Sequence, residues 1–545
     1  MGNNYRSIFK WGDPSHEEKL NKDLINYLKE KFKLSPSDLN EKYSPGIEEI
    51  KLKKISKLPP SIIKSFKRIV GDDNVIIDDY DRAYHSYGKF YLDLLKLRLG
   101  KIDSPPDAVI YPREENDIIK ILKICNNKDI PITPFGGHSS VTRGVETPKG
   151  GISLDLTRYF NKIITINEIN STVTVQSGIY GPDLENYLNN YGDGYTCGHF
   201  PQSFEFSTVG GWVATRSAGQ LSSGYGKIED IVLSLKMISP IGIIESIDYP
   251  ASALGPDIDQ MIIGSEGCFG IITEVTLKIR RYLPKNRKLL SFIFKDYSNA
   301  ITTLRKVSQG QFGSPYLFRL SDPEETDVSF RFKGKDNTLT DKILQILGYK
   351  PLKRCLMFAS VEGDYDYTRL VSWKIKHIAK KAGGQYIGAY PTKQWLLQRY
   401  SSSYLRDPLM DLGIMTDTLE TSCTWENILP LWFGVRNYIK ERPNTICMTH
   451  ISHCYENGAN LYFIFLSPIK KEDPINDFSN FHAGIIDTIK KNHGSLSHHH
   501  GIGKLLAPWM SMEIGVKGIG LLQSIKDYID PKGVMNPGKT LGLKG

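Results

Sequence analysis

The sequence predicts an α+β protein of two or three domains, and three observations support this prediction. The chain has 545 residues, which is too many for one hydrophobic core. Residues 101–282 alternate short apolar strands with amphipathic helices, and residues 283–488 resume that alternation after a pause. Residues 1–100 have apolar residues at helical spacing instead. We therefore expect a helical N-terminal segment, two further domains, and a C-terminal segment of residues 489–545.

The N-terminal segment contains two strong helix patterns. In "SHEEKLNKDLINYLKEKF" a serine precedes acidic residues and then apolar residues at helical spacing, so a helix capped by Ser15 is expected. In "PPSIIKSFKRIVG" a proline pair stands before the pattern and a glycine follows it. Both patterns predict amphipathic helices.

The region of residues 101–282 begins with a β-α-β pattern. The apolar strand "PDAVIYP" precedes the amphipathic helix "REENDIIKILKICNNKD", and "IPITPFGGHSS" is a strand that runs into a glycine turn. Further strands are predicted in "GGISLDL" and "KIITINEINSTVTVQSG", followed by a helix in "YGPDLENYLNNYG". The pattern ends with "IEDIVLSLKMISPIGIIES" and "CFGIITEVTLKIRRY" near residue 282.

Two strand–helix units follow in residues 283–488 and predict a separate α+β cap domain. They include "KLLSFIFKDYSNAITTLRKVSQ", "RCLMFASVEGDYDYTRLVSWKIKHIAKKAGG" and the apolar strand "NLYFIFLSP". The tail from "HHHGIGK" to "YIDPKGVMNPGKTLG" is predicted to be a helix followed by a turn-rich end.

Composition narrows the class of protein. Forty per cent hydrophobic and 24% charged residues are typical of a soluble globular protein. No apolar run approaches the roughly 18 to 20 residues that span a bilayer. The first residues lack the apolar core of a secretion signal, and "LGLKG" is not a peroxisomal S-K-L-type signal. We therefore expect a cytoplasmic protein.

The net charge and the cysteines of the chain indicate which ligands and which kinds of site to expect. The net charge of +9 is spread along the chain, which gives no support for nucleic-acid binding. An anionic small substrate and a lipid surface account for this charge equally well. The seven cysteines are scattered and none forms C-x-x-C, so reduced thiols and no metal site are expected.

Three glycine-rich elements follow one another at turns: "PFGGHSS", "SFEFSTVGGWVATRSAG" and "GSEGCFGIITEV". None has the G-x-G-x-x-G spacing of a Rossmann turn, but each offers backbone N–H groups and hydroxyls to an extended phosphate-bearing cofactor. Any one of them alone could be structural. Three in succession favour a cofactor-binding domain.

Together with the tail "DPKGVMNPGK", these elements resemble the FAD domain of the vanillyl-alcohol-oxidase (p-cresol methylhydroxylase) flavoprotein superfamily. Within it, "GHFPQSFEFSTVGGWVATRSAG", "GPDIDQMIIGSEGCFGIITEV" and "GSLSHHHGIGK" resemble the alkyldihydroxyacetonephosphate synthase family. Related D-lactate and glycolate dehydrogenases have G-E-H-G-I-G where this chain has "HHHGIGK". The resemblance implies a two-subdomain FAD-binding domain in residues 101–282 and a cap with an antiparallel sheet in residues 283–488.

The resemblance also implies which residues bind FAD. They lie in four stretches: Pro134, Phe135, Gly136, Gly137, His138, Ser139 and Ser140; Gln202, Ser203, Phe204, Glu205, Phe206, Ser207 and Thr208; Ala214, Thr215, Arg216 and Ser217; and Glu266, Gly267, Cys268, Phe269, Gly270, Ile271 and Ile272.

The implied catalytic residues are Tyr462 and the histidines His498, His499 and His500; the implied substrate-binding residues are Arg406, Arg319 and Lys504. Residue chemistry alone leaves alternatives open, since a tyrosine in an apolar strand is commonly a core residue and an arginine commonly a surface one. Three consecutive histidines cannot all share one face of a regular element, so at least one is expected only to pack or hydrogen-bond. Imidazoles titrate near neutral pH and suit proton transfer. Arginine and lysine suit a phosphate.

The chain departs from the family at the first glycine turn, where G-G-G-T-S is usual and "GGHSS" is present. A histidine at this position is bonded to the flavin 8α carbon in other branches of the superfamily. Two interpretations stay open for His138: a covalent flavin link, or a residue that caps the turn. A covalent link would raise the flavin potential and favour oxidation.

Three functions follow as alternatives. The family's reaction exchanges the acyl chain of acyl-dihydroxyacetone phosphate for a fatty alcohol, through a bond between flavin N5 and the substrate carbon, with no net redox change. The second is oxidation of a 2-hydroxy acid or polyol by hydride transfer to FAD. The third is a flavin-binding protein without turnover. The exchange reaction requires an apolar tunnel in the cap, open to a membrane surface, and a homodimer is expected.

Overall fold

A computed structural model describes residues 3–40 and 42–545 and confirms the α+β class and the helical N-terminal segment. The helices of that segment are α1 (Tyr5–Phe9), α2 (Lys22–Phe32), α3 (Pro36–Asn40), α4 (Pro60–Val70), α5 (Asp79–Tyr84) and α6 (Tyr91–Arg98). One prediction here is wrong, because α2 begins at Lys22 and not after Ser15. The Asn21 side chain accepts the N–H of Leu24 at 2.8 Å, whereas the Ser15 hydroxyl bonds to Asp13.

The first sheet of the structure, called the small sheet, has four strands in the order β1-β2-β4-β3. Its elements are β1 (Val75–Ile76), β2 (Ala108–Ile110), α7 (Glu115–Lys128), β3 (Ile132–Phe135) and β4 (Ile152–Asp155). Strands β2, β4 and β3 are parallel, as the β-α-β pattern predicts, and β1 from the N-terminal segment pairs antiparallel with β2. Strand β3 is at the edge and leads into the first glycine turn.

The second sheet, called the middle sheet, is antiparallel with the order β5-β6-β10-β8-β9. Its region contains β5 (Ile163–Asn167), β6 (Thr172–Gln176), α8 (Gly181–Asn190), β7 (Tyr195–Thr196), α9 (Val209–Ala214), α10 (Ser222–Tyr225), α11 (Ile228–Ile231), β8 (Val232–Ser239), β9 (Gly242–Glu245), α12 (Ile258–Ile262), β10 (Ile271–Lys278) and β11 (Arg280–Arg281). The second glycine turn enters α9 and the third enters β10. The two turns therefore meet at the same end of the sheet.

The cap sheet has seven antiparallel strands in the order β15-β12-β14-β13-β17-β18-β16. Its region contains β12 (Lys288–Phe294), α13 (Tyr297–Ser308), β13 (Leu317–Ser321), α14 (Pro323–Phe332), α15 (Leu339–Ile346), β14 (Cys355–Val361), α16 (Tyr365–Lys381), β15 (Gln385–Tyr386), α17 (Tyr390–Gln398), α18 (Arg406–Asp411), β16 (Ile414–Thr424), α19 (Ile428–Glu441), β17 (Ile446–Cys454), β18 (Gly458–Pro468) and α20 (Pro474–Lys491). The antiparallel cap sheet confirms the fold class. One hydrophobic core joins it to α1 and α6 of the N-terminal segment.

The chain after α20 returns to the small and middle sheets through α21 (Met510–Ile529). The N–H of Asn536 donates to the carbonyl oxygen of Ile132 at 2.7 Å, so the tail extends the edge at β3. The ammonium of Lys526 is buried and donates to the carbonyl oxygens of Cys268 and Met535. Among the helices of residues 3–40 and 42–545, none is long and apolar enough to cross a membrane.

Candidate active site

The turn after β3 forms the first part of a central cavity. Its backbone passes through a positive φ of 61° at His138. A Cβ on Gly137 would lie 2.0 Å from the carbonyl oxygen of Phe206, so only glycine fits there. The backbone N–H groups of residues 136–140 donate to no atom within the described ranges 3–40 and 42–545. Successive free N–H groups of this kind suit a diphosphate.

The second and third turns contact each other and complete this side of the cavity. The Thr208 hydroxyl caps α9 by accepting the N–H of Gly211 at 3.3 Å. The N–H of Glu266 in the third turn donates to the carbonyl oxygen of Ala214, at the end of α9, at 2.9 Å. We call the three turns, residues 134–140, 207–218 and 264–272, the glycine wall. The first turn packs closely against the other two, since a Cβ on Gly136 would lie 2.6 Å from the Thr208 hydroxyl and one on Gly267 would lie 2.9 Å from Pro134.

The cavity has a volume of about 740 Å³ and is lined by residues of all three turns. Ligand pockets commonly span about 300–1,000 Å³. Free backbone N–H groups on one side, together with this size, fit an extended dinucleotide such as FAD. The residues of the glycine wall would hold it.

Most of the residues expected to contact FAD line this cavity: Pro134, Phe135, Gly136, Gly137, His138, Ser139, Ser140, Gln202, Ser203, Ser207, Thr208, Ala214, Thr215, Ser217, Glu266, Gly267, Gly270 and Ile272. Seven others do not line it: Phe204, Glu205, Phe206, Arg216, Cys268, Phe269 and Ile271. Arg216 donates to Gln260 and to the carbonyl oxygen of Ile263. The ring of Phe204 stacks on Tyr400 at 5.7 Å. These side chains support the wall from behind.

His138 is fixed at the turn with one ring nitrogen free. Its Nε2 lies 2.8 Å from the carbonyl oxygen of Tyr87, which requires the proton to be on Nε2. Its buried Nδ1 has no hydrogen-bond partner among the described residues. The ring packs on Tyr84 at 4.1 Å, and burial holds the pKa of His138 well below its usual value. The neutral ring therefore presents an unpaired Nδ1 lone pair at the cavity lining.

Tyr462 lies on the opposite side of the cavity, in the middle of the cap sheet. In the strand register it is flanked by Glu420 on β16 and His450 on β17. Its ring stacks on His450 at 4.8 Å, and its hydroxyl donates to Thr418 at 3.0 Å. Burial raises the pKa of Tyr462 to about 12, although the nearby Arg406 charge acts in the opposite direction. The phenol therefore keeps its proton at neutral pH.

Both predicted arginines line the same cavity. Arg406, the first residue of α18, donates to the carbonyl oxygen of Lys89 and is only loosely paired with Asp417 at 4.0 Å. Arg319 on β13 pairs with Glu325 at 2.5 Å and contacts the Nδ1 of His450 at 3.0 Å. The buried Nε of Arg319 has no partner among the described residues. Each guanidinium thus keeps N–H donors for an anionic ligand.

The three histidines sit in a loop whose backbone is held by the Glu420 carboxylate. Glu420 accepts the N–H groups of His498, His499 and His500 at 2.7, 3.1 and 3.0 Å. It also accepts the Ser497 hydroxyl at 2.5 Å and the Asn460 amide at 3.0 Å. The facing histidines and these donors hold the pKa of Glu420 well below its usual range despite burial. One carboxylate therefore fixes the shape of the whole run.

The side chains of the run diverge, as their adjacency requires. His499 and His500 line the cavity and approach Tyr462 with ring centroids at 6.0 and 5.7 Å. His498 is outside the lining and is hydrogen-bonded to the Tyr455 hydroxyl at 2.6 Å. Burial lowers the pKa of all three imidazoles, so they are neutral near pH 7. We call Arg319, Arg406, His450, Tyr462, His499 and His500 the cap wall.

A second carboxylate, Glu266 of the glycine wall, holds the other half of the histidine loop. It accepts the N–H of Ile502 at 2.7 Å and of Gly503 at 2.8 Å. The structure does not bring Lys504 to the cavity with the arginines. Its ammonium donates to Asn536 at 2.9 Å and to the carbonyl oxygen of Gly144 at 3.4 Å, and burial lowers its pKa to about 8.

Beyond the cap wall the cavity becomes apolar. Its lining there comes from α2, α14, α18 and the turn just before it, and strands β17 and β18: Leu24, Val328, Phe332, Leu405, Leu409, Met448, Ile464 and Leu466. The same residues belong to a small hydrophobic cluster around α2. We call this part the apolar end. It is suited to a hydrocarbon chain because it presents apolar side chains.

Sequence reasoning missed Glu420 and His450 as site residues. Both are polar residues in otherwise apolar or small-residue strands, and an acid such as Glu420 within "IMTDTLETSCT" is a signal of a paired, buried charge. Their roles depend on cross-strand register, which no local pattern specifies.

Comparisons with known proteins agree with this geometry. Residues 106–248 match the family model of an FAD binding domain, and residues 283–540 match that of the C-terminal domain of FAD linked oxidases. The cofactor of this protein is therefore FAD.

Full-length relatives narrow the family. Alkyldihydroxyacetonephosphate synthase of Trypanosoma brucei brucei is 31% identical over 549 residues, covering 96% of this chain and 87% of that protein. The protein of the same name from Dictyostelium discoideum is 32% identical, covering 88% and 81%. A solved alkyldihydroxyacetonephosphate synthase structure superposes with a TM-score of 0.82 at 28% identity, covering 98% of this chain and 99% of that chain.

Proposed function

The chain belongs to the alkyldihydroxyacetonephosphate synthase family, and we propose that it exchanges the acyl chain of acyl-dihydroxyacetone phosphate for a fatty alcohol. In this exchange the bond between the substrate carbon and the fatty-acid carboxylate breaks. A bond from the alcohol oxygen to the same carbon forms. The product is an alkyl ether, and substrate and product have the same oxidation level.

The observation that carries the proposal is that one cavity contains three different surfaces. The glycine wall offers free N–H groups for the FAD diphosphate, the cap wall offers two arginines beside Tyr462, and the apolar end offers space for hydrocarbon. A substrate with a phosphate, a reacting carbon and a long chain has the same three parts. A 2-hydroxy acid would leave the apolar end without a ligand.

The arginines are suited to bind the phosphate. Arg319 has a buried Nε without a partner, which is costly unless a ligand accepts from it. Arg406 is paired with Asp417 only at 4.0 Å and keeps donors free. Two guanidinium groups in one cavity favour an anion that can accept from several N–H groups at once.

Tyr462 and the two cavity-facing histidines are suited to move the proton of the substrate carbon. Since the pKa of Tyr462 is raised to about 12, its hydroxyl must pass on its own proton in order to accept another. His499 and His500 are neutral, and either ring can receive that proton. Bound FAD supplies an electron-accepting ring system beside the substrate. Arg406 stabilises negative charge that develops on the phenol.

We further propose that the cap approaches a lipid surface near α15 and the loop after it. Leu339, Ile346 and Leu352 there are 76%, 84% and 61% exposed. The exposed lysines Lys342, Lys350 and Lys353 flank them. Apolar residues beside lysines suit an anionic membrane. Phe332 and Lys333, just before α15, line the cavity, so the surface lies near the route to the apolar end.

Co-sedimentation with phosphatidylserine vesicles tests this surface. Ile346→Glu should reduce the bound fraction, whereas Leu254→Glu, at an equally exposed leucine in a distant part of the sequence, should leave it unchanged. Equal binding by both variants would contradict the assignment.

Oxidation remains the second candidate because of His138. The proton on Nε2 leaves Nδ1 unpaired and nucleophilic, which fits a bond to the flavin 8α carbon. Acid precipitation tests it: a yellow pellet from the wild type and a colourless one from His138→Ala indicate a covalent flavin and favour oxidation. A colourless wild-type pellet with FAD in the supernatant favours exchange.

The flavin spectrum distinguishes the two reactions. Acyl-dihydroxyacetone phosphate should change the spectrum of the purified holoenzyme within the turnover time, and D-lactate or a polyol should leave it unchanged. Lasting bleaching by D-lactate, with no response to acyl-dihydroxyacetone phosphate, would reverse the order of the two proposals.

A further inference from the structure

Three histidine rings form a triangle beside the cap wall. His453 comes from the end of β17, and His498 and His499 come from the loop held by Glu420. The ring centroids are 4.9, 5.1 and 5.2 Å apart. Each ring offers one nitrogen, and these nitrogens all lie within 4.8 Å of one another. The Nδ1 atoms of His498 and His499 are only 3.0 Å apart.

The outer nitrogens of two rings are already held by neighbouring hydroxyls. The Nδ1 of His453 is hydrogen-bonded to the Ser222 hydroxyl at 2.6 Å, and the Nε2 of His498 to the Tyr455 hydroxyl at 2.6 Å. When each of these nitrogens donates its proton, the Nε2 of His453 and the Nδ1 of His498 carry lone pairs. Metal-binding histidines are oriented in this way, with the second nitrogen donating to an outer partner.

The surroundings favour a cation. The Glu420 carboxylate lies 3.4 Å from the Nδ1 of His499, so an acidic group is beside the three rings. The positive charge of Lys227 is near the three rings, but this ammonium is paired with the Glu229 carboxylate at 2.8 Å.

We propose that His453, His498 and His499 bind one divalent first-row transition-metal ion, with Zn²⁺ as the best match. Three imidazoles with an open fourth position are a common zinc arrangement. His453 and His499 line the cavity, so the ion has a route to the site and a position left for water or a ligand oxygen. The proposal rests on the geometry of the three rings; an ion on His499 would leave His500 to receive the proton of Tyr462 in the exchange reaction.

Zinc titration of the chelator-treated holoenzyme tests the site. The readout is competition with a chromophoric chelator, together with metal content by mass spectrometry after gel filtration. We expect one Zn²⁺ per wild-type chain with a submicromolar Kd. His453→Gln should weaken binding by roughly 100-fold or more, since a direct ligand contributes at least as much as an outer-shell partner.

Two further variants make the outcome decisive. His377→Gln removes an exposed histidine outside the triangle and should bind Zn²⁺ like the wild type. Ser222→Ala keeps all three nitrogens but removes the hydroxyl that orients His453, so we expect about 10- to 100-fold weaker binding. If His453→Gln loses FAD or does not fold, the Zn²⁺ affinity of Ser222→Ala tests the proposal instead. Absence of stoichiometric Zn²⁺ in the wild type, or wild-type affinity for Zn²⁺ in folded His453→Gln or Ser222→Ala, would overturn the proposal.

Discussion

The glycine wall and the cap wall face the same cavity but are built in different ways. The glycine wall offers backbone N–H groups, and its shape depends on close approach at residues such as Gly137, where a Cβ would lie 2.0 Å from a carbonyl oxygen. The cap wall offers side chains from β13, β17, β18, α18 and the histidine loop. Burial shifts the pKa values of its tyrosine and its histidines, whereas the glycine wall contributes mainly geometry.

The histidine loop connects the two walls, because Glu420 holds its first half and Glu266 its second half. Cofactor retention and turnover should therefore be separable. Changes in the cap wall should affect chemistry with FAD retained, and changes in the glycine wall should affect FAD itself. Variants in each wall test this separation by measuring FAD content and turnover.

Tyr462→Phe should have the largest effect on turnover. The change removes one hydroxyl from the cap wall, and losing a group that transfers a proton costs about 10²- to 10⁴-fold in rate. FAD content should equal that of the wild type and of the exposed control Tyr528→Phe. The measurement is kcat together with flavin absorbance per chain. Near-normal kcat would remove Tyr462 from the mechanism.

Glu420→Gln and Glu266→Gln form a matched pair on the two walls. Either amide places an NH₂ group against backbone donors, which should lower the free energy of unfolding by about 2–4 kcal/mol. Glu420→Gln should keep FAD and lose turnover, whereas Glu266→Gln should lose FAD. Urea unfolding and flavin content measure both effects. Loss of FAD from Glu420→Gln alone would mean that the walls are not separable.

Arg406→Lys tests phosphate binding within the cap wall. The lysine ammonium is a point charge and replaces the planar, bidentate guanidinium of arginine. The KM should therefore rise roughly tenfold, which corresponds to about 1.4 kcal/mol of binding free energy, while FAD is retained. Arg305→Lys, at an exposed helix position, is the control. An unchanged KM in steady-state kinetics would show that Arg406 does not contact the substrate.

Acid should destabilise both walls through neutral buried histidines. Burial lowers the pKa of His450 to about 4 and of His199, behind the glycine wall, to about 3. Each folded pKa is below the unfolded value of about 6.5, so the unfolded chain binds more protons. Stability is therefore complete above about pH 6.5 and falls toward pH 4, by roughly 3 kcal/mol for His450. Thermal unfolding against pH measures it, and His450→Gln should flatten the curve.

The glycine wall could be predicted from the sequence because each turn is a local pattern. Sequence patterns also indicated α4 and α7, whereas the antiparallel sheet of the cap was implied by the resemblance. The start of α2 was misplaced because Ser15 and Asn21 are both good caps, and only the structure shows which one accepts an N–H. Lys504 comes four residues after His500, yet its ammonium is bonded to Asn536 and does not line the cavity.

The cap wall could be predicted only in part. Tyr462 and the arginines came from the resemblance, not from residue patterns, since a strand tyrosine and a charged arginine are common elsewhere. Glu420 and His450 were missed because they reach Tyr462 through pairing of β16, β17 and β18. Such pairing joins residues that are 12 to 42 positions apart, and local spacing does not encode it.

The central claim is that this cavity exchanges an acyl chain for an alcohol without net oxidation. The most direct measurement is incorporation of labelled hexadecanol into alkyl-dihydroxyacetone phosphate by the purified holoenzyme, with acyl-dihydroxyacetone phosphate as co-substrate and no added electron acceptor. We predict labelled ether product and one fatty acid released per ether formed. Absence of labelled product, together with flavin reduction by D-lactate or a polyol, would contradict the claim.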